Sequence, residues 1–259
     1  MDFTLVASLA GAGLFALMLI ASELGRRIGI VRLAHDAKGL AKGAASAETA
    51  VFGLLGLLIA FTYSGAASRF ENRRQQIVQE ANAIGTAYLR IDLLPADTQP
   101  EIRRLFRRYI DVRLAAFHGS ENQTAAQPEM VEGAALQTEI WHKATVASQS
   151  RGAGPQAPML MLPALNDMID ITTTRQAATQ NHTPLVVFLL LGVLSLLGAT
   201  LVGYSSSPNR KRSWFHVAVF AAILSLTVYV IIDLEFPRLG FIRIDAADQV
   251  LRELRESIQ

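Results

Sequence analysis

The sequence predicts an all-α membrane protein with four transmembrane helices, two before and two after a helical extramembrane insertion. Three observations carry this. Of 259 residues, 51% are hydrophobic, and a mean hydropathy of +0.30 is too apolar for an ordinary water-soluble domain of this size. Four apolar runs, each free of charge within its core, explain it, near Phe3–Ala21, Ala50–Ala67, Pro184–Tyr204 and Trp214–Leu234. Each is long enough to cross a hydrocarbon core of about 30 Å as a helix. Strand-like alternation of apolar and polar residues is hard to find anywhere, whereas the polar stretch between the second and third runs carries stripes at helical spacing. The expected organisation is residues 1–67 for the first two transmembrane helices, 68–183 for the insertion, 184–235 for the last two, and 236–259 for an amphipathic tail.

The first run is expected to be a span and not a signal peptide. Met1-Asp2 offers no basic n-region, and the apolar run is long for an h-region. Gly11 and Gly13 within it suit close helix contact. The second run passes without a Pro into SRFENRRQQIVQEANAIGTAYLR, where Ile77, Ala81, Ile84, Tyr88 and Ile91 recur in steps of four and three. That stripe packs on neighbouring helices, so one long helix is predicted to leave the bilayer and join a bundle.

PADTQP then reads as a turn, with Pro95 and Pro100 as breakers. A helix over Glu101–His118 follows, with Ile102, Leu105, Phe106, Tyr109 and Ile110 on its apolar side. Arg103, Arg104, Arg107 and Arg108 form a basic stripe on another face. That stripe reads as a solvated face paired with carboxylates, or as a surface that attracts anions or lipid headgroups. After the loop GSENQTAAQP, a helix over Glu129–Ala147 is expected to bury Met130, Ala134, Ile140, Trp141 and Ala144. The linker SRGAGPQAP leads to a helix over Met159–Ala178 with Met159, Leu162, Leu165, Ile169 and Thr172 at helical spacing.

Charge and motif content exclude several functions. A formal charge of +2 is too mild to imply a nucleic-acid partner. Without Cys there are no disulfides, thiolate-bound metals or thiol chemistry. His35, His118, His142, His182 and His216 have no partners at ligand spacing, so no metal or other cofactor is indicated. No nucleophile-elbow, Walker or dinucleotide pattern is present, and no catalytic residue is assigned. No span carries a charge within it, and Glu23, Glu48 and Asp233 sit at span ends. Pumps and coupled transporters keep such groups at mid-depth, which favours a passive pore or a non-transporting membrane protein.

Basic residues cluster in the first connection (Arg26, Arg27, Arg32, Lys38, Lys42) and in the last (Arg210, Lys211, Arg212). The positive-inside rule puts both in the cytoplasm, and hence the termini and insertion outside. Arg69, Arg73, Arg74, Arg238 and Arg243 on the other side weaken that bias.

On the second span, Gly53, Leu57 and Phe61 are spaced by four and share a face. One reading is ordinary helix packing or lipid contact, helped by the small pair Gly56 and Ala60. The other is a hydrophobic constriction around a symmetry axis that gates by dewetting. Ser195, Ala199 and Gly203 on the third span read as a packing seam. The fourth span ends at Asp233-Leu234-Glu235-Phe236-Pro237, where Pro237 stops the helix. Its carboxylates are expected to pair with basic residues such as Arg69 or Arg74, in preference to lining a cation-attracting mouth.

The stretches AVFGLLGLLIAFTYSGAASRFENRRQQIVQEANAIGTAYLR and IIDLEFPRLGFIRID resemble a bacterial family described as bestrophin-like, over essentially the whole chain. Phe61, the pair Arg69-Phe70 and Arg74 are similar to the end of the second membrane helix of bestrophin channels. Pro237 and Gly240, beside Asp233 and Glu235, resemble a diverged form of the Pro-Phe-Gly element that follows their last span. The resemblance implies a homopentameric, passive ion channel of the bacterial inner membrane. Its second helices would line a neck at Gly53, Leu57 and Phe61, and its insertion would form a helical vestibule. The implied partners are membrane lipid, small inorganic ions and further copies of the chain.

Two departures stand out. IRIDAAD is too sparse in carboxylates for the calcium site that bestrophins carry there, and bestrophins keep the termini and insertion in the cytoplasm, against the charge count. Selectivity has opposing signals, with Asp233 and Glu235 arguing for cations and the Arg103–Arg108 stripe for anions. The competing reading is a non-conducting, membrane-anchored sensor or interaction module whose insertion binds a partner.

Overall fold

The computed structural model describes residues 3–33, 37–118, 127–208 and 214–258, without the side chains of residues 33, 37–45, 117 and 118. The side chains of His35, Lys38, Lys42, His118, Arg210, Lys211 and Arg212, and most of the loop GSENQTAAQP, therefore lie outside the described residues.

Among the described residues all regular structure is helical. In chain order the helices are α1 (Phe3–Leu33), α2 (Ala37–Leu89), a 3-10 turn (Arg90–Leu93), α3 (Gln99–His118), α4 (Gln127–Ser148), α5 (Ala157–Gln180), α6 (Leu185–Ser205), α7 (Trp214–Glu235) and α8 (Asp245–Ser257). Four helical stretches, Phe3–Arg32, Ser46–Leu93, Ala157–Ser205 and Trp214–Glu235, are long and apolar enough to cross a membrane. The chain is an all-α, multi-pass membrane protein. Two helices outrun the apolar runs that signalled them. Hydropathy marks only the lipid-facing part, while nothing in the polar continuation of α1 breaks a helix and the Glu23–Arg27 pair supports it at i,i+4.

The helices form two compact units, Met1–Arg69 with His182–Ile242, and Phe70–Asn181 with Arg243–Gln259. The first is organised by a seam between α1 and α6. A Cβ on Gly25 would stand 1.9 Å from the carbonyl oxygen of Thr200, and one on Gly203 would stand 1.9 Å from that of Ser22. Gly29 faces Ser207 in the same way, its Cβ position 2.5 Å from the hydroxyl. Hydrogen at Cα lets the two backbones touch, the small-residue packing by which helices associate in lipid. The spacing of Ser195, Ala199 and Gly203 is this seam: all three are buried. α2 joins the unit through side chains. Phe52 lies over Gly198 and edge-on to Phe220 at 5.5 Å, and Leu55 is 2% exposed.

The second unit buries the α2 stripe Ile77, Ala81, Ile84, Tyr88 and Ile91 against Phe106, Tyr109 and Ile110 of α3. Ile140, Met161, Leu165, Met168 and Leu251 close the same core from α4, α5 and α8. At its centre lies a charge cluster. Glu80 is fully buried, and its carboxylate accepts from Arg113 Nε at 2.6 Å and from Arg175 on its other oxygen. Burial pushes the Arg113 guanidinium below its ordinary pKa and raises that of the neighbouring Tyr109 phenol. Tyr109 accepts from Gln137 Nε2 at 2.9 Å, so the cluster passes into a neutral network.

This cluster accounts for one correction. On α5 the buried face is Met161, Ala164, Leu165, Met168 and Arg175; of the residues at helical spacing, Leu165 is buried and Ile169 packs on the core, while Met159 is 77% exposed. Arg175 must reach Glu80, and that fixes the rotation of the helix. On α4, Ala134 is exposed, and Gly133, Leu136 and Gln137 point inward beside Ile140 and Ala144. Gln137 is drawn in by Tyr109. Pro100 is no breaker: it lies in the first turn of α3, where its missing N–H costs nothing. In the basic stripe, Arg103 pairs with Asp92 and stacks 4.8 Å over the Tyr88 ring. Arg108 meets Glu132 at 2.6 Å.

Candidate functional site

The row Gly53, Leu57 and Phe61 lies on the face of α2 turned away from the packed residues Phe52, Leu55 and Leu58. Leu57 is 54% and Phe61 68% exposed, and nothing stands within 4 Å of a Cβ built on Gly53. The row continues into exposed Ser64 and Ser68. On the other side, Thr62 folds its hydroxyl back onto the Leu58 carbonyl at 2.7 Å, the usual way a helix hides a hydroxyl in an apolar setting.

Beyond this row, Arg69 ties α2 to the end of α7. Its guanidinium donates to Glu235, with Nε 3.1 Å from Oε1, and to the Thr183 hydroxyl. Thr183 itself donates to Glu235 from Oγ1 at 2.6 Å and from its backbone N–H at 3.3 Å. His182 Nδ1 stands 3.5 Å from the same carboxylate, and its ring stacks on Phe236 at 4.7 Å. Glu235 is 1% exposed and fully engaged. A buried charge held by this many donors is a structural clamp.

Asp233 finds a different partner from the one expected. Its Oδ1 accepts from the N–H of Phe241 at 3.0 Å and its Oδ2 from that of Ile242 at 2.7 Å. The turn after α7 thus folds back onto the helix that precedes it. Pro237 is buried in that turn. Gly240 is obligatory there, since a Cβ would stand 1.9 Å from Asp233 Oδ1. Replacing Asp233 with Ala is expected to leave two N–H groups without acceptors, at about 1–3 kcal/mol each. Limited proteolysis should then cut within residues 236–242, which the parent protein resists.

The other exit residues separate. Arg74 pairs at the surface with Glu71, three residues before it, at 3.0 Å. Phe70 packs on the core of the second unit. Arg73, read from the sequence only as one basic residue in the charge count, is buried and donates to the carbonyls of Ala178 at 3.0 Å and Asn181 at 2.8 Å, closing the end of α5.

Residues 29–248 match the family described as Bestrophin-like domain. The chain belongs to that family. Solved structures agree on the fold of this bestrophin-like chain. A variant of a bacterial bestrophin homologue from Klebsiella pneumoniae is 13% identical, with 94% of this chain and 96% of that one covered and a TM-score of 0.66. A second variant of that homologue is 12% identical over 94% and 98%, again at 0.66. A structure described only as a membrane protein is 13% identical over 94% and 98%, at 0.66. No curated protein matches the sequence.

Sequence reasoning missed Thr183, His182 and Glu80. His182-Thr183-Pro184 opens a span with two polar side chains at the lipid border, where a hydroxyl needs a partner. Glu80 lies on the Ile77–Ile84 stripe, and a carboxylate on an apolar face signals a buried cation.

Proposed function

We propose that this bestrophin-like chain is one subunit of a homo-oligomeric, pentameric channel of the bacterial inner membrane that passes small ions passively. In this reading α2 of each copy brings Gly53, Leu57 and Phe61 to a hydrophobic neck, while Arg69 and Glu235 fix its exit. The carrying observation is the free face of α2: an apolar row with an open glycine at one end and exposed hydroxyls at the other, on a helix whose opposite face is packed. A ring of Leu and Phe passes ions only when wetted, and the hydroxyls of Ser64 and Ser68 suit water beside it. Arg69, Phe70 and Arg74 with Asp233, Glu235, Pro237 and Gly240 serve as a positioning motif for the pore helix.

Purified protein reconstituted in planar bilayers is expected to conduct. Leu57→Ala combined with Phe61→Ala should raise conductance about tenfold, the effect of removing about 1.4 kcal/mol of barrier. Silence from both proteins overturns the channel reading. Mass in detergent supplies the second check, with a pentamer expected.

One observation favours a non-conducting interaction module. In the second unit, a groove of about 590 Å³ is lined by Arg74, Val78, Ala247 and Val250 among others. That reading predicts a dimer or trimer without conductance.

A further inference from the structure

We infer that the polar end of α1 holds one anionic phospholipid, its phosphate between Arg27 and Arg32 and an acyl chain along the exposed apolar stripe of the helix. Leu17, Leu24, Ile28 and Val31 are each at least half exposed, and their spacing of seven, four and three puts them on one face. At the end of that stripe, Arg27, Ile28, Val31 and Arg32 border a depression of about 520 Å³. These four lie at i, i+1, i+4 and i+5, so the two guanidinium groups flank two apolar side chains on adjacent ridges.

Depth decides what sits there. α1 has 31 residues, about 46 Å of helix, against a hydrocarbon core of about 30 Å. Its arginine end therefore stands at headgroup level while the stripe leading to it faces acyl chains. The local charge is one carboxylate, Glu23, against Arg26, Arg27 and Arg32. Glu23 accepts from Arg27 Nε at 2.9 Å, with the Arg27 side chain 73% exposed. A guanidinium has five donors, which leaves its outer N–H groups for a phosphate. A lipid matches both halves of the patch; a free anion would use only the charged half.

The test uses full-length protein in mild detergent, with bound lipid counted by native mass spectrometry and folding followed by thermal melting. Phosphatidylglycerol, phosphatidylcholine and inorganic phosphate are the three probes. Retention of phosphatidylglycerol over phosphatidylcholine is expected. Arg27→Gln with Arg32→Gln should lower that retention about fivefold for each arginine removed, and Ile28→Ser should lower it while leaving both charges in place. Equal retention of the two lipids, or retention unchanged in the folded double variant, overturns the site. Inorganic phosphate that displaces the lipid at millimolar concentration, with no effect of Ile28→Ser, makes it a free-anion site and overturns the lipid assignment. Should the double variant not fold, the parent protein decides: retention must fall as salt rises, and salt-insensitive retention overturns the proposal.

Discussion

Glu80→Ala is expected to destabilise the second unit by about 3–5 kcal/mol, because it leaves two guanidinium groups buried without their counter-charge. Arg113 and Arg175 both aim at this carboxylate, one on each oxygen. Glu80→Gln should fall between the parent and the Ala variant, since the amide keeps one acceptor but supplies no charge. Replacing Glu80, Arg113 and Arg175 together by Met should restore most of the loss, because the desolvation cost disappears with the charges. Thermal melting with protease resistance of residues 70–181 checks all three. A Glu80→Ala variant as stable as the parent would show that the cluster is solvated.

Gly203→Ala, or Gly25→Ala, is expected to prevent assembly of the membrane unit. The added methyl meets a backbone carbonyl and not the end of a flexible side chain, so no rotamer change relieves it. Overpacking of a fitted core commonly costs about 1–3 kcal/mol, and a clash between two backbones stands at or above the top of that range. Gly53→Ala is the internal control, because nothing lies within 4 Å of its Cβ position. Size-exclusion profiles in detergent should show aggregation for the seam variants and a parental peak for the control. Equal profiles for Gly203→Ala and Gly53→Ala would mean that α1 and α6 are not in backbone contact.

The four spans and the helical insertion were legible because both rest on patterns one residue deep: absence of charge over a bilayer's width, and apolar residues every third or fourth place. Ile77 to Ile91 is the clearest case. Positions decided by a partner distant in the chain were not legible. Arg175 looks solvent-facing until Glu80 is beside it, so the α5 stripe finds Leu165 and Ile169 but not Arg175. Asp233 looks like half of an ion pair until the turn after α7 supplies two N–H groups. The α1/α6 seam was half visible, since Ala199 and Gly203 have the right spacing, but Gly25 and Gly29 lie past the apolar run. There the search for a membrane helix ends before the helix does.

The seam also dictates an order of events during synthesis. α1 is made well before α6, to which the carbonyls and glycines it fits belong, and α6 follows only after α2 to α5. At about 5–20 residues per second, α1 must wait in the bilayer on the order of ten seconds or more with its contact surface unused. During that interval Gly25 and Gly29 are open to any small-residue helix nearby. The second unit, whose core draws on α3, α4 and α5 with the end of α2, can gather most of its helices in that time. Only α8, made after α7, then remains to be added. The membrane unit is thus begun before the second unit and finished after most of it, and premature pairing of α1 is the error that its assembly has to avoid.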